Sequence, residues 1–306
     1  MAANAFVRQI FQVSHPTHLL MYHPRPLAVC VCTLVSLMAG TAAKAVFIDF
    51  DTSGVLASDF NIAISSDAGK LNGVAESATG GISGSAGSLS YTANTNNDST
   101  VFYKGTSFDF TADGTVLTES MMFLTGAGST TNAARSIQLG FGTKVDSPFN
   151  GGPQQGAGLN LSAWTSVRVN TTGTAGNYTF EGQDKPSGNV GANTAFNNTP
   201  ISLTANTWYQ LSIVLTNQAG AAGSYTISGS LQSFGLDGLT PGAVVSSFTS
   251  ATRTVAIDAA LFGGFRTAAG NNNVTNYDSY SVVPEPSAFG AIGGGVALLG
   301  LLRRRR

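Results

Sequence analysis

The chain has 306 residues, with 15 Lys+Arg against 16 Asp+Glu, a net charge of −1, 42% hydrophobic residues and only 10% charged ones. No basic excess exists to track phosphates, which excludes a nucleic-acid binder. The apolar fraction at near-zero net charge excludes a chain kept unfolded by its own composition.

The first element is an apolar run at 27–40, LAVCVCTLVSLMAG, preceded by Arg25. It has the length of a signal-peptide core and is short for a bilayer span. Thr41-Ala42-Ala43-Lys44-Ala45 follows, and Ala43 and Ala45 form a small-x-small cleavage site. Residues 1–45 are therefore expected to be a secretory signal region with a helical core. Cleavage after Ala45 starts the mature chain at Val46, and cleavage after Ala43 is the competitor. The stretch before the run is long for a signal, and a start at Met21 gives an ordinary length. Cys30 and Cys32, the only cysteines, and His15, His18 and His23, the only histidines, all lie ahead of the cleavage site. The mature chain thus excludes disulfides, a Ser-His-Asp triad, a Cys-His dyad and conventional zinc sites.

Residues 46–282 form one expected domain. No 3.6-residue periodicity lasts beyond two turns, and short strand-like runs alternate with Gly, Asn, Ser and Thr clusters. Strands are expected at 46–50, 87–92, 101–110, 116–124, 136–141, 159–169, 178–180, 208–216, 223–234, 254–265 and 277–282. In the run from Trp208, strict alternation puts Tyr209, Leu211, Ile213 and Leu215 on one face. A Gly-rich connector leads to a second alternating run through Tyr225, Ile227, Gly229 and Leu231, which predicts a hairpin. No βαβ pattern occurs, so the sheets are expected to be antiparallel.

The stretch 207–237 resembles part of the laminin-G/concanavalin-type jelly roll. The shared pattern is a strand led by Trp208, a polar turn, and a strand ending near Phe234-Gly235-Leu236-Asp237-Gly238. The resemblance implies an all-β, antiparallel, jelly-roll-like β-sandwich whose first and last strands lie close together.

Glycoside hydrolysis needs two carboxylates roughly 5–9.5 Å apart. The domain's only glutamates are Glu76, Glu119 and Glu181, and none sits in the Glu-x-Asp-x-x-Glu pattern of concanavalin-like glucanases. Asp49 and Asp51 are two apart and are expected on one strand face. With Asp278 on the last strand they form the candidate metal set. Calcium, which takes oxygen ligands, is the one ion that such a set admits, and jelly-roll carbohydrate-binding modules carry a structural calcium in a comparable place. No other cofactor is expected. Trp164, Trp208, Tyr91, Tyr103 and Tyr178 are candidate sugar platforms by type, with Trp208 expected instead in the core or at its rim.

The tail, 283–306, reads Val283-Pro284-Glu285-Pro286, an apolar segment at 288–302, then Arg303, Arg304, Arg305 and Arg306. Fifteen residues make about 22 Å of helix at 1.5 Å per residue. A single transmembrane helix is expected, the arginines covering the shortfall by snorkelling and remaining cytoplasmic. These three parts in this order resemble the PEP-CTERM sorting signal of exopolysaccharide-producing Gram-negative bacteria. The resemblance implies an exosortase as partner, cleavage near Pro284, Glu285 and Pro286, transient anchoring in the inner membrane, and delivery to the cell surface or extracellular matrix. The combined expectation is a non-catalytic exported surface or extracellular-matrix protein, carbohydrate-binding or adhesive, with exopolysaccharide as its candidate ligand, or a structural matrix protein that binds no small ligand. The alternative is an extracellular, glucanase-like, carbohydrate-active enzyme with an atypical carboxylate site.

Overall fold

The computed structural model describes residues 44–285, apart from 65–73, 83–86, 93–97, 106, 127–135, 144–162, 173–176, 186–193, 219–222, 255–256, 258–259 and 269–273. All belong to the unit Ala42–Arg306. The expected signal segment up to Ala43, the tail helix, Pro286 and the four arginines lie outside the described residues. Among the described residues no helix is long and apolar enough to cross a membrane.

Two antiparallel sheets make up the fold. Strands are numbered along the chain. The first sheet contains β1 (Val46–Ile48), β3 (Val74–Ser77), β4 (Ser88–Thr92), β7 (Val116–Leu124), β12 (Trp208–Asn217), β13 (Tyr225–Phe234), β14 (Pro241–Thr249) and β16 (Val274–Glu285). Its order is β14-β13-β12-β7-β16-β4-β3, with β1 added against β16. The second contains β2 (Phe60–Ile64), β5 (Asp98–Tyr103), β6 (Phe108–Asp109), β8 (Ser136–Gly142), β9 (Trp164–Thr171), β10 (Asn177–Lys185), β11 (Thr194–Ser202) and β15 (Ala260–Ala268). Its order is β11-β10-β9-β8-β15-β5-β2, with β6 against β15. The one helix among the described residues is α1 (Val55–Asp59). Glu76 on β3 holds its start, accepting the Gly54 amide at 2.6 Å and the Leu56 amide at 2.5 Å.

Alternation builds the core. Tyr209, Leu211, Ile213 and Leu215 on β12 are buried, as are Tyr225, Ile227 and Leu231 on β13, and these two strands pair as the expected hairpin. Val167 and Val169 on β9 and Phe180 on β10 bury from the opposite sheet. Rings join the two layers: Phe265 of β15 lies 5.5 Å from Tyr277 and 6.0 Å from Tyr280 of β16, and Phe180 lies 5.2 Å from Phe248 of β14. Each such large apolar side chain stabilises the fold by about 1.5–3 kcal/mol through removal from water. The expected all-β, jelly-roll-like sandwich is the observed one.

Several local expectations change. The single strand expected at 101–110 is two, because the chain leaves the sheet at Lys104, whose amide bonds Asp59 O at 2.9 Å and whose Nζ bonds Ala57 O at 2.6 Å. Strands β2, β3, β11 and β14 are not among the expected ones, and all four lie at a sheet edge. Polar edge strands such as Thr-Ala-Phe-Asn-Asn-Thr-Pro-Ile-Ser read as loop in the sequence. Finally, β1 stops at Ile48, so Asp49 and Asp51 do not share a strand face. Phe50 takes φ 58 to bury its ring, and Asp49 Oδ1 accepts the Asp51 amide at 3.2 Å, closing a turn.

The terminal strands are neighbours. Val46 lies opposite Val282 and Ile48 opposite Tyr280. Strand β16 continues past Val282, placing Pro284 opposite Leu117 and Glu285 opposite Val116, and Thr118 Oγ1 donates to Glu285 Oε1 at 3.2 Å. Chain entering at Val46 and chain leaving at Glu285 therefore pass the same corner of the first sheet.

Candidate functional site

Every sheet residue faces either the core or the outside, so the outer face of the second sheet is read from its register. On β9, Val167 and Val169 point inward, which turns Trp164, Ser166 and Arg168 outward. On β10, Tyr178 and Phe180 point inward, which turns Glu181, Gln183 and Lys185 outward. Cross-strand pairing then lines these up in rows. Glu181 stands opposite Arg168, Arg168 opposite Gln138 of β8, and Gln138 opposite Arg266 of β15. In the next row Gln183 stands opposite Ser166, Ser166 opposite Gly140, and Gly140 opposite Gly264. A third row runs Lys185, Trp164, Gly142, Phe262.

The rows are chemically connected. Arg168 Nε donates to Glu181 Oε1 at 2.7 Å, and its Nη2 bonds the same oxygen. Gln183 Nε2 donates to Glu181 Oε1 at 3.2 Å. Gln138 Nε2 donates to Ser166 Oγ at 2.6 Å, and Gln138 Oε1 accepts from Arg266 Nη1 at 3.2 Å. Glu181, Gln183, Lys185, Gln138, Ser166, Trp164 and Arg266 are all buried, whereas the Arg168 side chain is 16% exposed and reaches solvent. Burial lowers the tendency of Lys185 to hold its proton. Among the described residues Gln183 Oε1 is a buried acceptor with no hydrogen-bond partner. Buried polar groups are normally satisfied, so such an oxygen marks a place where a donor is expected to arrive. Glycines 140, 142 and 264 bring no side chain to the face, leaving its middle to Ser166, Trp164 and Gln183.

Other buried charges are structural. Asp184, facing inward between Gln183 and Lys185, accepts from Arg253 Nε at 2.6 Å, and the Arg253 guanidinium lies 4.3 Å over the Phe196 ring. Glu119 sits in the core, fully buried, taking the Tyr280 hydroxyl on Oε1 at 2.7 Å while Oε2 has no partner. Burial pushes its carboxyl well above the ordinary range, against the lowering effect of Tyr280 and the Gly264 amide.

The three aspartates of the candidate metal set come near one another, since Asp51 and Asp49 both push the Asp278 carboxyl upward. Burial is the larger cause and takes it to about 6, against the amide bonds from Ile82 and Ser279. The oxygens are already engaged: Asp278 accepts the Ile82 amide at 2.8 Å and the Ser279 amide at 2.7 Å, and Asp51 accepts the Gly87 amide at 3.1 Å. Among the described residues no three His, Cys, Asp or Glu side chains are grouped to hold a metal ion. The donor set thus acts as a set of loop caps, and no chemistry is derived through calcium.

Of the aromatic candidates, Trp208 is buried in a small cluster with Ile82 and Met122, as expected. Tyr178 is in the main core, and Tyr103 is half-buried against Phe60 at 6.0 Å. The side chain of Tyr91 is outside the described residues. Trp164 alone lies in the outward rows. From the sequence alone Glu181 stands out only as half of a carboxylate pair, and Gln138, Ser166, Arg168, Gln183, Lys185 and Arg266 do not stand out at all. The available signal was polar side chains at every second position, in Ser166-Val-Arg168 and Glu181-Gly-Gln183-Asp-Lys185.

No family model and no curated protein matches the chain. Solved structures do. The marine alginate lyase from Aplysia kurodai has a TM-score of 0.51 at 11% identity, covering 80% of this chain and 99% of that one. The alginate lyase vAL-1 from Chlorella virus has a TM-score of 0.47 at 9% identity, covering 80% and 100%. Basic winged bean lectin, solved with Tn-antigen, has a TM-score of 0.47 at 10% identity, covering 79% and 99%. The chain is similar to these in fold.

Proposed function

We propose that this chain is an exported surface or matrix protein that binds a polysaccharide on the outer face of the second sheet, without catalysis. The observation that carries this is the buried acceptor Gln183 Oε1 set in register beside the Glu181–Arg168–Gln138–Arg266 row. Hydroxyl-rich ligands are held by such planar amide and guanidinium groups. Arg168, Arg266 and Lys185 outnumber Glu181 on the described part of the face, which favours a polymer carrying carboxylates. One carboxylate faces outward there, and it is tied to Arg168; two-carboxylate glycoside hydrolysis lacks its second group among the described residues. Binding of the purified protein to a polyuronate and to a neutral glucan tests this. Polyuronate binding should fall at least tenfold in Gln183→Ala with an unchanged melting temperature; equal binding by that variant overturns the site.

The tail is proposed to be a PEP-CTERM sorting segment cut by an exosortase. Its three-part order supports this, as does its departure beside Val46, which lets leader and tail approach one membrane together. Replacing Pro284, Glu285 and Pro286 with alanine should leave an uncleaved, membrane-held precursor, and neutralising Arg303 to Arg306 should instead impair insertion. Normal release of the triple-alanine protein, followed by mass spectrometry of its C-terminus, overturns the sorting role.

A further inference from the structure

The outer face of the first sheet carries a different pattern, and one independent of the polysaccharide site. Inward Tyr209, Leu211, Ile213 and Leu215 leave Gln210, Ser212, Val214 and Thr216 facing out on β12. Register places Ser281 of β16 opposite Ser120 of β7, Ser120 opposite Ser212, Ser212 opposite Ser230 of β13, and Ser230 opposite Ser247 of β14. Five strands thus share one unbroken row of serines. The row beside it is Val283, Thr118, Val214, Ser228 and Thr249, and a shorter third row is Glu285, Val116, Thr216 and Thr226. These rows hold no lysine or arginine, and their single carboxylate is Glu285 at a corner. Ser120 and Ser281 bond each other at 2.8 Å, as do Ser228 and Thr249 at 2.9 Å. Ser247 and Thr249 are exposed and the other serines half-buried.

The geometry points to this face as the contact between two copies of the chain, packed sheet to sheet about a twofold axis. A twofold contact brings a surface against itself, so it must be self-complementary. A charged face repels its own copy, whereas hydroxyls both donate and accept and can pair with hydroxyls. Val116, Val214 and Val283 add apolar area between them. At about 4.8 Å between strands and about 6.8 Å between outward residues, the patch measures roughly 20 by 20 Å. Roughly 400 Å² on each copy is about half the area per partner of a standard interface, so the dimer should be weak and fill only toward the top of a concentration series. A sugar polymer fits less well. The depression on this face, about 330 Å³ and lined by Ser212, Val214, Ser228, Ser230, Ser247 and Thr249, has Phe248 as its only ring, and that ring is held against Phe180 and Phe196, so the depression offers a sugar no ring to stack on. The exposed ring on this side, Phe47 of β1, lies at the edge opposite Ser281 and adds apolar area to a contact between copies.

Sedimentation of the purified full chain in mild detergent, from about 1 to 200 μM, tests the contact. The native protein should pass from one copy to two. Ser212→Arg with Ser230→Arg should remain single at every concentration, with a melting temperature within about 2 °C of native. Should that pair fail to fold, Ser212→Asp with Ser230→Asp serves the same purpose. Ser212→Thr with Ser230→Thr, still small and uncharged, should keep the dimer. A native chain that stays single throughout overturns the proposal, as does a dimer that survives both charged pairs. Loss of neutral-glucan retention by the charged pairs, with a single-copy native protein, assigns the face to a polysaccharide and also overturns it. Polyuronate binding should be unchanged in every variant, which separates failure here from failure of the site on the second sheet.

Discussion

The two outer faces of this sandwich follow the same alternation rule and obey opposite chemistry. In three successive rows of the first sheet the outward residues are small hydroxyls and valines with Glu285 at a corner, half-buried or exposed, and no basic group is among them. On the second they are Arg168, Glu181, Gln183, Lys185, Gln138, Arg266 and Trp164, and all but Arg168 are buried. A face meant only for water needs no charges out of contact with it, and burying them costs stability unless each is paired. The difference teaches that inward residues establish the fold on both sheets, while the outward ones make one face a buried polar network and leave the middle of the other small and uncharged.

The strongest way to break this contrast is to truncate one partner of the outward ion pair. Arg168→Ala strands Glu181, whose side chain is 3% exposed, without its cation. Removing one member of a buried pair costs about 3–5 kcal/mol, or about 6–20 °C in melting temperature at 2–4 °C per kcal/mol. Replacing both, Arg168→Met with Glu181→Leu, should recover most of that stability and still leave polyuronate binding lost. A double variant that is stable and binds normally would show the pair to be a structural element of an ordinary sheet face. Thermal melting and binding measured on the same samples decide between them.

Glu119 sharpens the comparison because it is a carboxylate buried without a cation. Its raised proton affinity means that the folded state keeps a proton which the unfolded chain releases above the ordinary carboxylate range. Folding is then favoured at low pH and weakens as pH rises, by up to about 1.4 kcal/mol per unit. Asp278, raised to about 6, acts with the same sign but is spent above that pH. Between pH 6.5 and 8.5 the remaining slope should belong to Glu119. Glu119→Gln, which keeps an acceptor for Tyr280, should flatten the melting temperature over that window. An equal slope in native and variant proteins would mean that Glu119 is ionised in the fold.

What could be seen in the sequence follows the same division. The hairpin of β12 and β13 was legible because buried positions alternate within each strand. The boundary at Lys185 was missed because Gly182, Gln183 and Asp184 have poor strand propensity and are held by neighbours on both sides. The polar row was illegible for a deeper reason. Gln138, Arg168, Glu181 and Arg266 are scattered over 128 residues of chain, and only pairing register brings them side by side. Asp49 and Asp51 misled because spacing of two implies one face only inside a strand, and Phe50 at φ 58 ends it.

The smooth face should tolerate change. Ser212→Ala or Ser230→Ala removes one half-buried hydroxyl from the serine row, and surface substitutions of this kind stay within about ±0.5 kcal/mol. Differential scanning calorimetry of dilute protein should find shifts of 2 °C or less. A loss above about 1.5 kcal/mol in either variant would mean that the serine row is itself part of the folded core, and the contrast between the faces would fail.

The smallest effect is expected where the acidic groups cluster beside that face. If Asp49, Asp51 and Asp278 held calcium, the ion's charge would keep all three ionised and would far outweigh their mutual repulsion. Instead Asp278 is pushed to about 6, first by burial and then by Asp51 and Asp49, and its two oxygens take amides of Ile82 and Ser279. Chelation should therefore move the melting temperature by less than about 1 °C, and millimolar calcium by no more. A rise above about 4 °C with calcium, more than 1 kcal/mol for a domain of this size, would require the turn at Asp49 and Asp51 to release its own amides and turn those oxygens to an ion. The pH test supplies an independent check. Bound calcium would abolish the upward shift of Asp278, so stability between pH 4 and 6 would stop falling through that group, whereas without the ion the slope persists in chelator and in calcium alike.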